Sequence, residues 1–172
     1  YMTPSREWDQ CREEEITSIG VDAIGDRSLD GADDGTLEGE LDEDSVADVR
    51  RFLDMPVGTL LIAKTGLDTM DGIGVVTGGY ERRELGADDS AVVHTRPVDW
   101  VDIHAVADNP FAPDWEGGPG EQAFRDGTGP YEFGPRSYRD LRQVLLSTSP
   151  ELEASIETVE RTAQALQRAE HG

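Results

Sequence analysis

Between Thr59 and Ile103 the chain repeatedly breaks short β-rich apolar runs with glycine and aspartate, and no other stretch restricts its possible folds so strongly. Thr59–Lys64 and Ile73–Val76 are runs of this kind, too short for ordinary helices and rich in Leu, Ile and Val. The set Thr65-Gly66-Leu67-Asp68-Thr69-Met70-Asp71-Gly72 reads as the turn between them, and Gly78-Gly79 ends the second run. Glu81–Ser90 reads as a charged loop. Ala91–His94 and Val98–Ile103 supply a third run, with Pro97 at a bend or sheet edge because proline brings no N–H to a ladder. The pattern is a β-meander, about half of a small barrel, with Trp100 expected in its core.

The flanks read as helical. Trp8–Glu15 predicts a short helix and Ile16–Val21 a strand. Asp22–Asp44 is rich in Gly and Asp, without periodicity, and reads as a solvated insertion or a flap. Ser45, with Asp48 three residues on, resembles a capping box. Val46, Val49, Phe52 and Leu53 then share one helix face, and Pro56 stops the helix. Residues 107–135 form a long Gly/Pro-rich connection whose aromatics, Phe111, Trp115, Phe124, Tyr131 and Phe133, suit pinning it onto a barrel. A helix is expected over Ser137–Leu146. Ser149-Pro150-Glu151 then opens a last helix with Leu152, Ile156, Val159, Ala163 and Leu166 at helical spacing. That stripe either packs on this domain or leads into a further one. The fold class is therefore α+β.

Several chemistries are excluded. A single cysteine, Cys11, allows neither an internal disulfide nor a cysteine-based zinc site. His94, His104 and His171 lack metal-ligand spacing. The glycines of Gly72-Ile73-Gly74-Val75-Val76-Thr77-Gly78-Gly79 imitate a phosphate loop, but no Lys-Ser or Lys-Thr follows and the stretch reads as a strand. No Gly-x-Ser-x-Gly occurs. A non-catalytic binding domain is expected, with no cofactor and no metal. No run approaches a membrane span and no signal-peptide pattern opens the chain, so a cytoplasmic protein is expected.

Gly72-Ile73-Gly74-Val75-Val76-Thr77-Gly78-Gly79-Tyr80, followed after a variable loop by His94-Thr95-Arg96-Pro97-Val98-Asp99-Trp100, resembles the EVE domains of the PUA-like superfamily. It is most similar to the EVE-like domains that open McrB-type GTPases of modification-dependent restriction systems. The resemblance spans roughly residues 6–103. It implies a small PUA-like β-barrel flanked by short helices over residues 1–104, a connection packed on it over 105–135, and a helical C-terminal extension over 136–172. It departs from the family in two places: Val21 stands where the family has Trp, and the opening strand that precedes the helix finds too few residues here.

The resemblance further implies a reader of DNA, in which a modified, methyl-bearing base flips out of a duplex into a pocket at the barrel mouth. The pocket would draw on Ser18, Val21, Asp22, Ile62 and Lys64. Tyr80 either stacks on the base or seals the barrel. Arg82, Arg83, His94 and Arg96 would meet the nucleic-acid backbone. The implied partners are such DNA and the GTPase and nuclease subunits of a restriction system. The alternative is a protein-interaction module that assembles with such subunits without recognising a base.

Charge sets the working medium. Asp and Glu number 37 against 15 Lys and Arg, a formal charge of −22, and Lys64 is the single lysine. Acid excess with lysine depletion suggests a halophilic protein. At about 1 M salt the Debye length falls to ~3 Å and surface repulsion is screened, whereas in dilute buffer the same repulsion opposes the compact state. The acid is uneven: residues 1–44 hold 15 acidic and 3 basic residues, residues 45–104 hold 10 and 6. A nucleic-acid surface fits the second region better. The expected outcome of thermal melts over a KCl series is cooperative unfolding at about 2 M and above, with a midpoint that falls sharply in dilute buffer. A midpoint independent of salt would refute the halophilic reading.

Overall fold

The computed structural model describes residues 2–4, 8–19, 28–65, 69–84, 92–106 and 135–172. The fold is α+β. In chain order its elements are β1 (Met2–Pro4), α1 (Trp8–Glu13), β2 (Ile16–Ile19), α2 (Asp34–Glu38), α3 (Glu43–Asp54), β3 (Leu60–Thr65), β4 (Thr69–Val76), β5 (Glu81–Glu84), β6 (Val92–Val106), α4 (Pro135–Thr148) and α5 (Glu153–His171). A single 3-10 turn, Pro150–Leu152, joins the last two helices. The strands run β1-β3-β4-β6-β2, with β5 also on β6. All pairs are antiparallel except β1 with β3. Register shifts at Ala63/Lys64 and between Met70 and Gly72 mark bulges. Such bulges raise the local twist, and the sheet curls as a half-barrel.

The opening strand is present after all. Met2–Pro4 pairs in parallel with Ile62–Lys64. Three residues suffice for this ladder and are too few to show any periodicity. Pro4 is tolerated because β1 is an edge strand.

Strand β6 organises the sheet. Its second half pairs with β4, from Val76↔Val98 to Thr69↔Val106, and its first half lies between β2 and β5. Pro97 sits where the partner changes. Its carbonyl still accepts Thr77 N–H at 3.0 Å, and its missing N–H costs nothing because β4 has ended and β5 has not begun. Glu81–Glu84, expected to lie in a loop, is a strand. Pairing with β6 satisfies its backbone, and its charged side chains suit an exposed edge, so the ladder overrides composition.

Both faces of the sheet are covered, which explains the unbroken apolar runs Leu60-Leu61-Ile62-Ala63 and Val75-Val76. On one face Ile62, Met70, Ile73, Val75 and Ile103 pack against Leu141 and Leu145 of α4 and Ile156, Val159 and Ala163 of α5. The C-terminal helices thus complete the sheet's core. Gly58 helps hold α5 there. Its φ of +84° and the approach of α5 both exclude a side chain, since a Cβ would lie 2.8 Å from Ala163 O, while Gln167 Nε2 donates to Gly58 O at 2.9 Å. Between the helices Glu160 Oε1 accepts from Tyr138 Oη and Arg142 Nε, each at 2.7 Å. Burial, then this hydrogen bond, push the Tyr138 hydroxyl far above the ordinary tyrosine range.

On the other face lie Leu61, Val76, Val98, Met55 and, half-buried, Trp100. Trp8 of α1 meets Trp100 edge-to-face at 5.2 Å, and Arg12 binds Asp102 at 3.0 Å. The repeated glycines of β4 serve this packing. A Cβ on Gly72 would collide with the Trp8 ring, and one on Gly74 would lie 2.5 Å from Trp100 Cε3 and 2.7 Å from Val98 Cγ1. Trp100 Nε1 donates to Ile16 O at 2.8 Å, whereas the buried Trp8 Nε1 finds no hydrogen-bond partner among the described residues.

A third cluster, Ile19, Leu29, Leu37, Val49 and Phe52, seats α2 and α3. Helix α3 starts one turn earlier than the capping-box reading places it. Asp42 is the N-cap, accepting Ser45 N–H at 2.8 Å, and this sets Glu43 and Asp44 in the first turn, where negative charge suits the helix dipole. Asp48 pairs instead with Arg51 at 3.0 Å.

Gly74→Ala is expected to destabilise the domain by about 1–3 kcal/mol, the usual range for overpacking. Gly79→Ala, where a Cβ meets nothing within 4 Å, should cost under about 0.5 kcal/mol. Chemical denaturation of both variants in molar KCl checks the contrast.

Candidate functional site

Successive β-strand side chains point to opposite faces, so residues 94, 96, 98 and 100 of β6 share one face. The apolar alternation breaks there at His94 and Arg96, both buried at 2% and 3% exposure. Each has a built environment. Arg96 Nη1 donates to Phe52 O at 3.0 Å and Leu53 O at 2.9 Å, the last-turn carbonyls of α3. Its Nη2 and Nε reach Gly78 O, in the β4–β5 turn, at 3.0 and 3.3 Å. A helix C-terminus leaves carbonyls without intrahelical donors and carries partial negative charge; the planar guanidinium answers both. Burial lowers the Arg96 pKa from its ordinary value, opposed by Glu170 and Asp54, but a group titrating so high stays charged. Arg96 therefore holds the fold. The expected phosphate contact is corrected: its donors are committed to backbone carbonyls.

His94 is corrected in the same way. It lies inside, its Nδ1 2.9 Å from Tyr80 Oη, with the two rings stacked at 6.0 Å between centroids. Tyr80 Oη also accepts Leu29 N–H at 3.0 Å. The hydroxyl keeps its proton and a second lone pair for His94 Nδ1, and the histidine tautomer sets which of the two donates. A buried histidine thus orients a half-buried tyrosine, and the tyrosine ties the start of the 28–65 segment to the sheet. His94 is too deep to meet a phosphate.

Ser18 of β2 lies opposite Thr95, one residue from the Ile19↔His94 pair. It is half-buried, 4.0 Å from the buried Cys11 Sγ. Glu81 lies opposite Thr95 on the other side of β6, and Thr95 Oγ1 donates to Glu81 O at 2.9 Å. Ser18, Thr95, Glu81, Tyr80 and His94 therefore gather at one end of the sheet. Val21 and Asp22 lie outside the described residues.

Ile62 and Lys64 belong elsewhere. Ile62 is fully buried in the core under α4 and α5, so it is not a pocket residue. Lys64 pairs with Met70, which pairs with Ala105, ten positions along β6 from Thr95. At ~3.3 Å per residue this is about 30 Å of strand. The sequence pattern cannot show this separation, because it depends on how β6 divides its length between partners.

Arg82 and Arg83 stand on the exposed strand β5, each within reach of a glutamate: Arg82 Nη2 is 3.9 Å from Glu84 Oε1 and Arg83 Nη2 is 2.8 Å from Glu81 Oε2. Among the described residues no group of three or more His, Cys, Asp or Glu is placed to hold a metal ion, and no helix is long and apolar enough to cross a membrane. This end of the sheet offers the Tyr80 ring on the face of His94 and the Ser18 hydroxyl on the face of Thr95.

A family model matches residues 3–110, a span that takes in β2 to β6, all of β1 but Met2, and the site. The chain belongs to DUF8426, a domain family of unknown function. No curated protein and no solved structure matches it. The DUF8426 match stops short of α4 and α5, yet those helices bury one face of the sheet. The role of Arg96 had a faint signal in the sequence, an arginine inside an otherwise strand-like His94–Trp100 run. The partnership of Tyr80 with His94 had none beyond their presence in the motif.

Arg96→Ala strips donors from one buried and two partly buried carbonyls and is expected to cost about 3 kcal/mol or more. Arg96→Lys should recover under half of that, because a compact ammonium cannot span carbonyls on two elements. Equilibrium unfolding in molar KCl measures both; an Arg96→Ala loss below about 0.5 kcal/mol would contradict the role assigned to the guanidinium.

Proposed function

We propose that this domain is a nucleic-acid reader that accepts a modified, methyl-bearing base, flipped from a DNA duplex, at the β2–β5–β6 end of a PUA-like half-barrel. Within a restriction system it would act as the specificity module. The observation that carries the reading is Tyr80, a residue of the EVE-like pattern, held from behind by the buried His94 at that one end; Ser18, paired with Thr95, lies on the other face of the strand pair. A flipped base needs a stacking surface and polar partners for its edge. Tyr80 supplies the first, and His94 positions the tyrosine. The opening strand β1, which the EVE-like pattern calls for, adds to the likeness.

In molar salt, phosphate contacts contribute little, since that affinity falls linearly in log–log with salt. Affinity must then come from the inserted base, and stacking on one aromatic is worth about 1–3 kcal/mol. The expected result is that one of a set of duplexes of about 20 base pairs, carrying a single 5-methylcytosine, a single N6-methyladenine or neither, binds about tenfold tighter than the unmodified one. Tyr80→Phe should keep this preference and Tyr80→Ala should erase it while a folded circular-dichroism spectrum persists. Fluorescence anisotropy in molar KCl provides the readout. Equal binding of all duplexes would end the reader proposal and leave an assembly module for GTPase or nuclease subunits.

A further inference from the structure

Resting on the reader proposal, we propose that Leu29 is a positioning residue of the site: the turn Leu29–Ala32 carries it against Tyr80 and, with His94, fixes the ring on which the base stacks. The turn lies in the Gly- and Asp-rich stretch whose composition reads as a solvated insertion or a flap, yet its backbone is closely tied. Ala32 N–H donates to Leu29 O at 3.1 Å around Asp30 and Gly31. Gly31 has a φ of +68° and Asp30 does not share the positive sign, the combination of a type II turn. Asp30 N–H reaches Ser28 Oγ at 3.2 Å. From α3, Arg50 Nη2 donates to Ala32 O at 2.8 Å. The next residue, Asp33, caps α2 by accepting Thr36 N–H at 2.8 Å.

The turn meets the tyrosine twice. Leu29 N–H donates to Tyr80 Oη at 3.0 Å, which sets the Leu29 backbone at the hydroxyl end of the ring. The Leu29 side chain, 1% exposed, belongs with Ile19 to the apolar cluster on which Tyr80 packs. Ile19 pairs with His94 across β2 and β6, and His94 stacks on the ring. Stacking covers one face only. Close packing around a buried branched side chain leaves a neighbouring ring little room to turn, and a ring ordered in advance costs less to order on binding. Tyr80→Phe keeps this packing and loses only hydrogen bonds. Leu29→Ala keeps the bond from the backbone N–H and opens a void in the cluster that supports the ring.

The test uses the full chain in molar KCl, with thermal melts as a folding control. Tyr80 ring rotation is followed by NMR on isotope-labelled tyrosine. It should be at least about tenfold faster in Leu29→Ala than in the parent, and close to the parent in Leu29→Met, which nearly conserves volume. Gly31→Ala adds a Cβ that meets nothing within 4 Å but strains a φ of +68°, so it loosens the turn without touching the core. Gly31→Asn, which tolerates that φ, is its control. Ring rotation should quicken severalfold in the first and stay unchanged in the second. By fluorescence anisotropy, Leu29→Ala should lower the preference for whichever methylated duplex the parent favours by about fivefold, and Gly31→Ala by about twofold, with binding of the unmodified duplex held within about twofold. Ring rotation at the parental rate in Leu29→Ala, or a quickened ring with an unchanged preference, overturns the positioning role. If Leu29→Ala does not melt cooperatively, the Gly31 pair decides the same question. Equal binding of all duplexes by the parent removes the reader proposal, and the ring rates alone then decide whether Leu29 holds Tyr80.

Discussion

The guanidinium of Arg96 is the interaction on which the rest of the structure depends. It joins the middle of the longest strand to the end of α3 and to the turn between β4 and β5. Each of those places exposes carbonyls that secondary structure alone cannot satisfy. Without a donor there, the chain would have to hydrate the α3 terminus, and α3 could not close over Ile19 and Leu29. A charge so buried is costly to desolvate; a rigid fork of several donors aimed at fixed carbonyls offsets that cost, which a flexible ammonium cannot do.

Around this tie the sheet is packed differently on its two faces. One side is an aliphatic layer under α4 and α5. The other is aromatic, with Trp8 and Trp100 lying where Gly72 and Gly74 leave the backbone bare. The glycines that imitate a phosphate loop are thus a bed for indole rings. Their spacing of two is the strand period, which places both on one face, whereas a phosphate loop needs its glycines at a strand-to-helix turn.

The proposed site occupies the part of the sheet where β6 has neighbours on both edges, β2 and β5. A strand paired on both sides is stiff, and a tyrosine held by a histidine on that strand keeps its ring in one orientation. This is what a base-stacking surface requires, because ordering the ring in advance removes that cost from binding. The acidic balance of the chain fits such a design. With a formal charge of −22, general attraction to a polyanion is unavailable, and discrimination must rest on local contacts.

The amino-acid sequence by itself determined the α+β class, the runs that became β3, β4 and β6, the apolar stripe of α5, and the end of α3 before Pro56. These follow from local rules, alternation, helical spacing and proline chemistry, which act over a few residues. Tertiary structure decided the rest. Glu81–Glu84 is a strand because β6 offers it a ladder, although its composition is that of a loop. Asp42 rather than Ser45 caps α3, because several neighbouring residues are competent caps and packing of Val49 and Phe52 selects the frame. Ile62 entered the core and His94 and Arg96 turned inward for a common reason. Which face of a strand is buried depends on the elements laid across it, and those elements come from distant parts of the chain. The separation of Lys64 from Ser18 has the same origin: one long strand divides its length between two sets of partners, a long-range pairing that no local pattern encodes.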